Sequence, residues 1–226
     1  MKLGQKKVSR TKQFPMILSL ITFQPTRHSA SFTSFADICA ERYSPYLHQP
    51  FRSFSTGGWY SAFKPFHSGV FPFLALDLMI MFRGCTANLF FGHDLLPYSI
   101  GDEQPLYLNE NIQSQINTIV KELPKKNSGM LYRGYGNRID IGLNALATLY
   151  MEILGSLTEV ESGVLRHIRE LQFERYQDPT KTKTFGLQKV VAQRLHKSPV
   201  AVHKSLRSAK YTLLADTANA MKNMMV

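Results

Sequence analysis

The segment VVAQRLHKSPVAVHKSLRSAK, from Val190 to Lys210, constrains the fold more than any other part of the chain. In its second half Val202 and Leu206 lie four residues apart, which is the spacing of one buried helix face. Its first half continues a helix that begins near Leu187 and carries three inward apolar residues, Val191, Ala192 and Leu195. The spacing predicts two short helices joined by a tight turn, HKS.

The turn residues are typical of a helix-turn-helix motif. Ser198 can cap the second helix with its hydroxyl, and Pro199 suits the first helical position, where no backbone N–H is needed. Ala192 offers the small side chain that two steeply crossing helices require. His196 stands where this turn usually has glycine, at some cost in strain if its backbone is left-handed. We place the motif at about residues 187–211.

The outward side of this motif is basic. Between Lys181 and Lys210 there are eight Lys or Arg residues and no Asp or Glu. We expect base or near-base contacts from His203, Lys204 and Arg207, because a recognition helix presents such a face to base edges. The remaining predicted DNA-binding residues are Lys189, Lys197, Ser198, Pro199, Val200 and Lys210, of which Lys189, Lys197 and Lys210 are expected on the phosphate backbone. Many phosphate contacts would make binding strongly dependent on salt.

The charge of the whole chain agrees with an anionic partner. The formal net charge is +11 over 226 residues, which favours nucleic acid or an anionic membrane surface. The apolar run Val70–Phe82 is too short to span a bilayer and contains Pro72 and Asp77, so it predicts a buried helix. We therefore expect no stable membrane insertion.

The N-terminus and the cysteines indicate a cytoplasmic protein. Residues 1–13 are basic and predict a flexible arm. The run that follows, Met16–Phe23, is only eight residues long, so a buried strand is favoured over the core of an export signal. Cys39 and Cys85 form no CxxC pair and no disulfide framework, which suits a reducing compartment.

Residues 14–126 predict an α+β domain, a small sheet with helices packed on it. The expected strands are Met16–Phe23, a hairpin over Phe51–Phe63, and two short strands, Asn88–Phe91 and Pro97–Ile100, around a turn with Gly92 and Asp94. The expected helices are Ser34–Tyr46, Phe73–Arg83 and Gln113–Leu123.

A glycine-rich, basic junction near Asn127 separates this domain from a predicted all-α domain over residues 140–226. Its first helix, IDIGLNALATLYMEIL, has apolar residues at helical spacing. Thr158 and Glu161 then predict a capping box at the start of the next helix. The C-terminal helix from Tyr211 could pair with a second copy in a homodimer, or fold back on its own chain.

Two resemblances extend this interpretation. LTEVESGVLRHIREL followed by VVAQRLHKSPVAVHKSLRSAK resembles the four-helix DNA-binding unit of sigma-factor region 4 and LuxR-type regulators, with a longer loop over Gln172–Thr184. The whole chain resembles the SatD family, in which a helix similar to LNALATLYMEIL precedes such a unit. That likeness implies a degenerate cyclase-like or ferredoxin-like N-terminal domain, and it implies architecture more than mechanism.

The sequence predicts no catalytic residues, metal or cofactor. A cyclase-like turn would need a metal-binding carboxylate, whereas Gly58 and Trp59 stand there. Asp102 with Glu103 is typical of a solvated turn, and His93-Asp94 of a polar turn between strands. The histidines show no metal-binding spacing.

Taken together, these features predict a transcriptional regulator that binds double-stranded DNA. Two alternatives remain open. The basic helix could dock an acidic protein partner, or the chain could be a nucleotide-handling enzyme with an appended DNA-binding domain.

Overall fold

The computed structural model describes residues 13–23, 41–54, 58–64, 67–83, 86–99, 110–123 and 128–225. Its strands are β1 (Gln13–Phe23), β2 (Leu47–Phe54), β3 (Gly58–Phe63), β4 (Ala87–Ser99) and β5 (Gly129–Arg133). Its helices are α1 (Phe71–Met81), α2 (Glu110–Glu122), α3 (Asn137–Gly155), α4 (Glu159–Tyr176), α5 (Leu187–Arg194), α6 (Pro199–Ser208) and α7 (Tyr211–Met224). Short 3-10 turns lie at Ser44–Tyr46 and Ser68–Val70.

Several predicted features lie outside the described residues. They are the basic arm as far as residue 12, most of the helix predicted at Ser34–Tyr46, both cysteines, and the acidic pair Asp102 and Glu103. Of that predicted helix, residues 41–46 are described, and they comprise a helical turn at residues 41–43 followed by the 3-10 turn Ser44–Tyr46.

The five strands form one mixed sheet in the order β2-β3-β1-β4-β5. β1 pairs antiparallel with both β3 and β4. β2 pairs antiparallel with β3, which is the predicted hairpin. β5 instead runs parallel to β4, with α2 as the crossover between them. The α+β class is therefore confirmed.

The prediction of two short strands around Gly92 and Asp94 is wrong, because β4 runs unbroken through both. β1 pairs with β4 along its length, and the register shifts where Met16 opposes Leu96 but Leu18 opposes Gly92. The extra residues of β4 form a bulge at this point, so the strand continues through Gly92 and Asp94 instead of ending in a turn.

The junction near Asn127 is also more than a linker. It contains β5, which is the fifth strand of the sheet, and the elements from Asn137 onward are helices. At the outer edge of this strand Asn144 of α3 pairs with the backbone of Tyr132. Its side-chain oxygen accepts from the Tyr132 N–H at 2.7 Å, and its amide nitrogen donates to the Tyr132 carbonyl at 2.9 Å. At Tyr132 a side chain therefore makes the two hydrogen bonds that a neighbouring strand would make.

The two faces of the sheet support two cores, because adjacent residues of a strand point to opposite sides. On one face Leu20, Tyr60 and Phe90 pack with α2 residues such as Ile116. On the other face a larger apolar cluster includes Ile21, Phe63, Phe71, Phe91, Tyr132 and Tyr150. α1 lies within this larger core and is buried on all sides from Phe71 to Ile80, as the sequence predicts.

The helices after α3 extend that larger core. The same apolar cluster continues from the sheet through α1 and α3 to Val202 of α6 and Met221 of α7. Among the described residues, the helical segment therefore has no separate hydrophobic core. The apolar residues Leu214, Ala218 and Met221 of α7 are fully buried against their own chain.

No single helix within the described ranges has the length and apolarity needed to cross a membrane. α3 and α4 reach that length and apolarity only when taken together, across a bend of 114°.

Candidate nucleic-acid interface

Two short helices joined by a tight turn, α5 and α6, lie where the sequence predicts them. α5 ends in a Schellman motif, in which the His196 N–H donates to the Gln193 carbonyl at 3.2 Å and the Lys197 N–H to the Ala192 carbonyl at 2.8 Å. His196 itself is left-handed, with φ of 50°. The expected strain is therefore present, at a position that most often holds glycine.

α6 begins as its first residues predict. The Ser198 Oγ accepts a hydrogen bond from the Ala201 N–H at 3.1 Å, and Pro199 is the first helical residue. This cap fixes the direction in which α6 leaves the turn.

The inward faces of α5 and α6 pack on α4. Ala192 and Val202 are buried where the two helices approach, and Leu206 is buried one turn further along. The facing side of α4 supplies Val164, Leu165, Ile168 and Leu171, all of them in the same apolar cluster. This packing holds α6 at the surface with its opposite side outward.

The start of α4 lies close to the end of α6 and is capped by its own side chains. Thr158 and Glu161 form the predicted capping box, with the Thr158 N–H donating to Glu161 Oε2 at 2.8 Å and the Glu161 N–H donating to Thr158 Oγ1 at 3.3 Å. Burial opposes ionisation of Glu161, but hydrogen bonds from Ser208 and Thr158 outweigh it and hold its pKa below the usual value. Ser208 ends α6, so the ionised carboxylate lies near the end of that helix as well.

The structure places each of the predicted DNA-binding residues at the protein surface. All nine are exposed, namely Lys189, Lys197, Ser198, Pro199, Val200, His203, Lys204, Arg207 and Lys210. The Ser198 Oγ accepts the capping hydrogen bond, which leaves its O–H able to donate to an external acceptor. Val200 is 63% exposed and places an apolar surface among the cations.

Most of these cations have no acidic partner. Of the eight basic residues from Lys181 to Lys210, Arg194 pairs with Glu174 at 3.3 Å and Lys181 with Asp178 at 3.6 Å. No described acidic residue forms an ion pair with the remaining six, a group that includes all five predicted DNA-binding cations. Their charge is therefore available to an external anion.

A concave surface lies between α5 and the start of α6. It has a volume of about 540 Å³, is open to solvent, and is lined by Lys189, Ala192, Gln193, His196, Lys197 and Pro199. Two lysines thus converge beside a helix N-terminus, where the positive end of the helix dipole also favours negative charge. The chemistry of this surface suits a phosphate group.

A buried ion pair, which the sequence interpretation missed, positions the motif relative to the sheet. Asp77 of α1 accepts a hydrogen bond from Arg169 Nε of α4 at 2.7 Å, and from the Tyr43 hydroxyl at 2.9 Å. Arg42 Nη1 lies 3.3 Å from the same carboxylate. Burial disfavours the charged guanidinium of Arg169, but Asp77 outweighs it and raises the pKa of Arg169 above its usual value.

Arg169 also holds the loop that leads into α5. Its Nη2 donates to the Pro179 carbonyl at 2.7 Å and its Nη1 to the Lys181 carbonyl at 3.2 Å, while Gln172 donates to the Lys183 carbonyl at 3.2 Å. One buried arginine therefore connects α1, α4 and residues 179–181. A carboxylate within the apolar stretch FPFLALDLMIM was the signal for this site, because a buried charge requires a partner.

No group of three His, Cys, Asp or Glu side chains is placed to hold a metal ion in the part of the chain that the structure describes. Asp102 and Glu103, and the side chains of His93 and Asp94, lie outside that part.

No protein-family model matches the sequence, and no curated protein or solved structure is significantly similar to it.

Proposed function

We propose that the chain binds double-stranded DNA through α6 and acts as a transcriptional regulator. The main support for this proposal is that α6 is amphipathic, with one buried side and one exposed side. Val202 and Leu206 are buried against the core, whereas Val200, His203, Lys204 and Arg207 share the exposed side. A helix held in this way, with its outward side unobstructed, can enter the major groove of a duplex.

The exposed side of α6 has the dimensions of a short recognition element. From Val200 to Arg207 the helix rises about 10 Å, which corresponds to about three base pairs of a duplex. His203, Lys204 and Arg207 are the proposed donors to base edges, with Arg207 suited to guanine, and Val200 can contact a thymine methyl group.

The proposed phosphate contacts lie on either side of that helix. Lys189 and Lys197 face the concave surface at the start of α6, and Lys210 follows the end of α6. This arrangement supports contacts to the backbone on both sides of the groove. In this role the protein catalyses no reaction. It would act in the cytoplasm, where the chromosome lies.

The test is selection of duplexes from a randomised pool, followed by fluorescence anisotropy with the preferred duplex. Arg207→Ala should weaken binding by about 1–3 kcal/mol, or about 5- to 150-fold, and relax the preference at one position. Lys121→Ala is a charge-matched control, because Lys121 is exposed on α2, across the sheet from α6.

Two results would contradict the proposal. The first is an Arg207→Ala protein that binds the selected duplex as tightly as the unmodified protein. The second is binding to acidic polypeptides in the absence of binding to any duplex, which would favour an acidic protein partner.

A further inference from the structure

The outward side of α3 carries a line of exposed residues that the DNA-binding proposal does not use. Its inward residues, among them Leu143 and Tyr150, are buried in the core. Its outward line consists of Arg138, Ile141, Ala145, Leu149 and Glu152, all of them exposed. Ile141 is 71% exposed and Leu149 42% exposed. Single exposed apolar residues are ordinary, but these two share one helix face that ends in opposite charges.

This line is symmetric about Ala145. The intervals between its members are three, four, four and three residues in either direction. An antiparallel second copy across a two-fold axis at Ala145 would place Arg138 beside Glu152 of the partner subunit, and Ile141 beside the partner's Leu149. Each contact then occurs twice, which is the self-complementarity that a two-fold interface requires. We infer that this face of α3 pairs with the same face of a second copy of the chain.

The geometry of two helices permits these contacts together. Each charged residue lies seven residues from Ala145, or about 10 Å along the axis. At a crossing angle of roughly 20° the two axes separate sideways by only about 4 Å at that distance, which an arginine side chain can bridge. The small side chain of Ala145 lets the helices approach closely at the centre.

The charges favour a second copy over other occupants. Within one chain Arg138 and Glu152 are about 21 Å apart along the helix, too far to pair with each other. Neither forms an ion pair with another described residue, and the pairing satisfies both at once. Binding of a different protein would not require the residues of this face to be arranged symmetrically about Ala145, whereas binding of a second copy does. α7 is not available for the same role, since Leu214, Ala218 and Met221 are already buried.

The experiment is sedimentation velocity without DNA at protein concentrations up to about 100 µM, because weak interfaces dissociate in the micromolar range. The unmodified chain should show a reversible monomer–dimer equilibrium. Arg138→Glu or Glu152→Arg alone should weaken dimerisation at least about tenfold, since each places like charges together at both ends. The double variant should restore it, because the exchanged charges are again complementary. Ile141→Asp should abolish the dimer.

The single charge reversals do not weaken α3 itself. A glutamate near the helix start and an arginine near its end both favour the helix dipole. Circular dichroism should therefore show an intact fold in each variant, and Lys121→Glu serves as the charge-reversal control. A monomer at every concentration, a dimer indifferent to Ile141→Asp, or a double variant without restored pairing would each overturn the inference. None of these outcomes depends on DNA binding.

Discussion

Replacing Arg169 with methionine should destabilise the protein more than any change to a surface arginine. The variant keeps a side chain of similar length but leaves Asp77, which is 4% exposed, without its closest cation at 2.7 Å. It also removes the donors to the carbonyls of Pro179 and Lys181. Breaking a buried ion pair from one side costs about 3–5 kcal/mol, and Arg42, still near the carboxylate, favours the lower end of that range.

That loss is large against the total stability of a domain, about 5–15 kcal/mol. It should lower the Tm by about 6–20 °C. Urea unfolding followed by circular dichroism gives the free energy directly. Arg166→Met is the matched control, since Arg166 lies one turn earlier on α4 and is exposed. The double change Asp77→Leu with Arg169→Met should recover much of the loss, because it removes the unpaired charge. The reasoning fails if Arg169→Met unfolds within about 0.5 kcal/mol of the unmodified protein, or if Arg166→Met costs as much.

Three further predictions concern the helix-turn-helix region. His196→Gly should raise the free energy of unfolding in urea by up to about 1 kcal/mol, because glycine accepts the left-handed backbone at φ of 50°; a loss of stability would contradict the strain. Ala192→Leu should cost about 1–3 kcal/mol by overfilling the contact between α5 and α6, and an unchanged urea midpoint would show that the contact is loose. Glu161→Gln should lower the Tm at neutral pH, and the difference should vanish as the pH falls through the depressed folded-state pKa of Glu161. A difference that stays constant down to acidic pH would exclude the ionised carboxylate as its cause.

The region around α6 could be predicted because its determinants are local. Ser198 and Pro199 indicate a helix start from their own chemistry, and Thr158 with Glu161 specifies a reciprocal cap within four residues. The exposure of Lys204 and Arg207 followed from the helical spacing of buried Val202 and Leu206. The prediction located the exposed face of α6, whereas its use in binding DNA remains a proposal.

Other features could not be predicted because they depend on distant partners. β4 passes through Gly92 only because β1 lies beside it and the bulge absorbs the mismatch. β5 is five residues long, flanked by glycine, and completed by Asn144 of α3, so its sequence alone shows no strand periodicity. Asp77 and Arg169 are 92 residues apart, and neither position indicates the other.

The salt dependence of duplex binding tests the central proposal most directly. Fluorescence anisotropy from about 50 to 200 mM salt should give a linear fall of log K with log salt, with a slope of about −0.9 for each phosphate contacted. Lys197→Ala and Lys210→Ala should each reduce the magnitude of that slope by about 1, whereas Lys121→Ala should leave it unchanged. Duplex binding that is indifferent to salt, or a slope that survives both α6-flanking substitutions, would contradict the account.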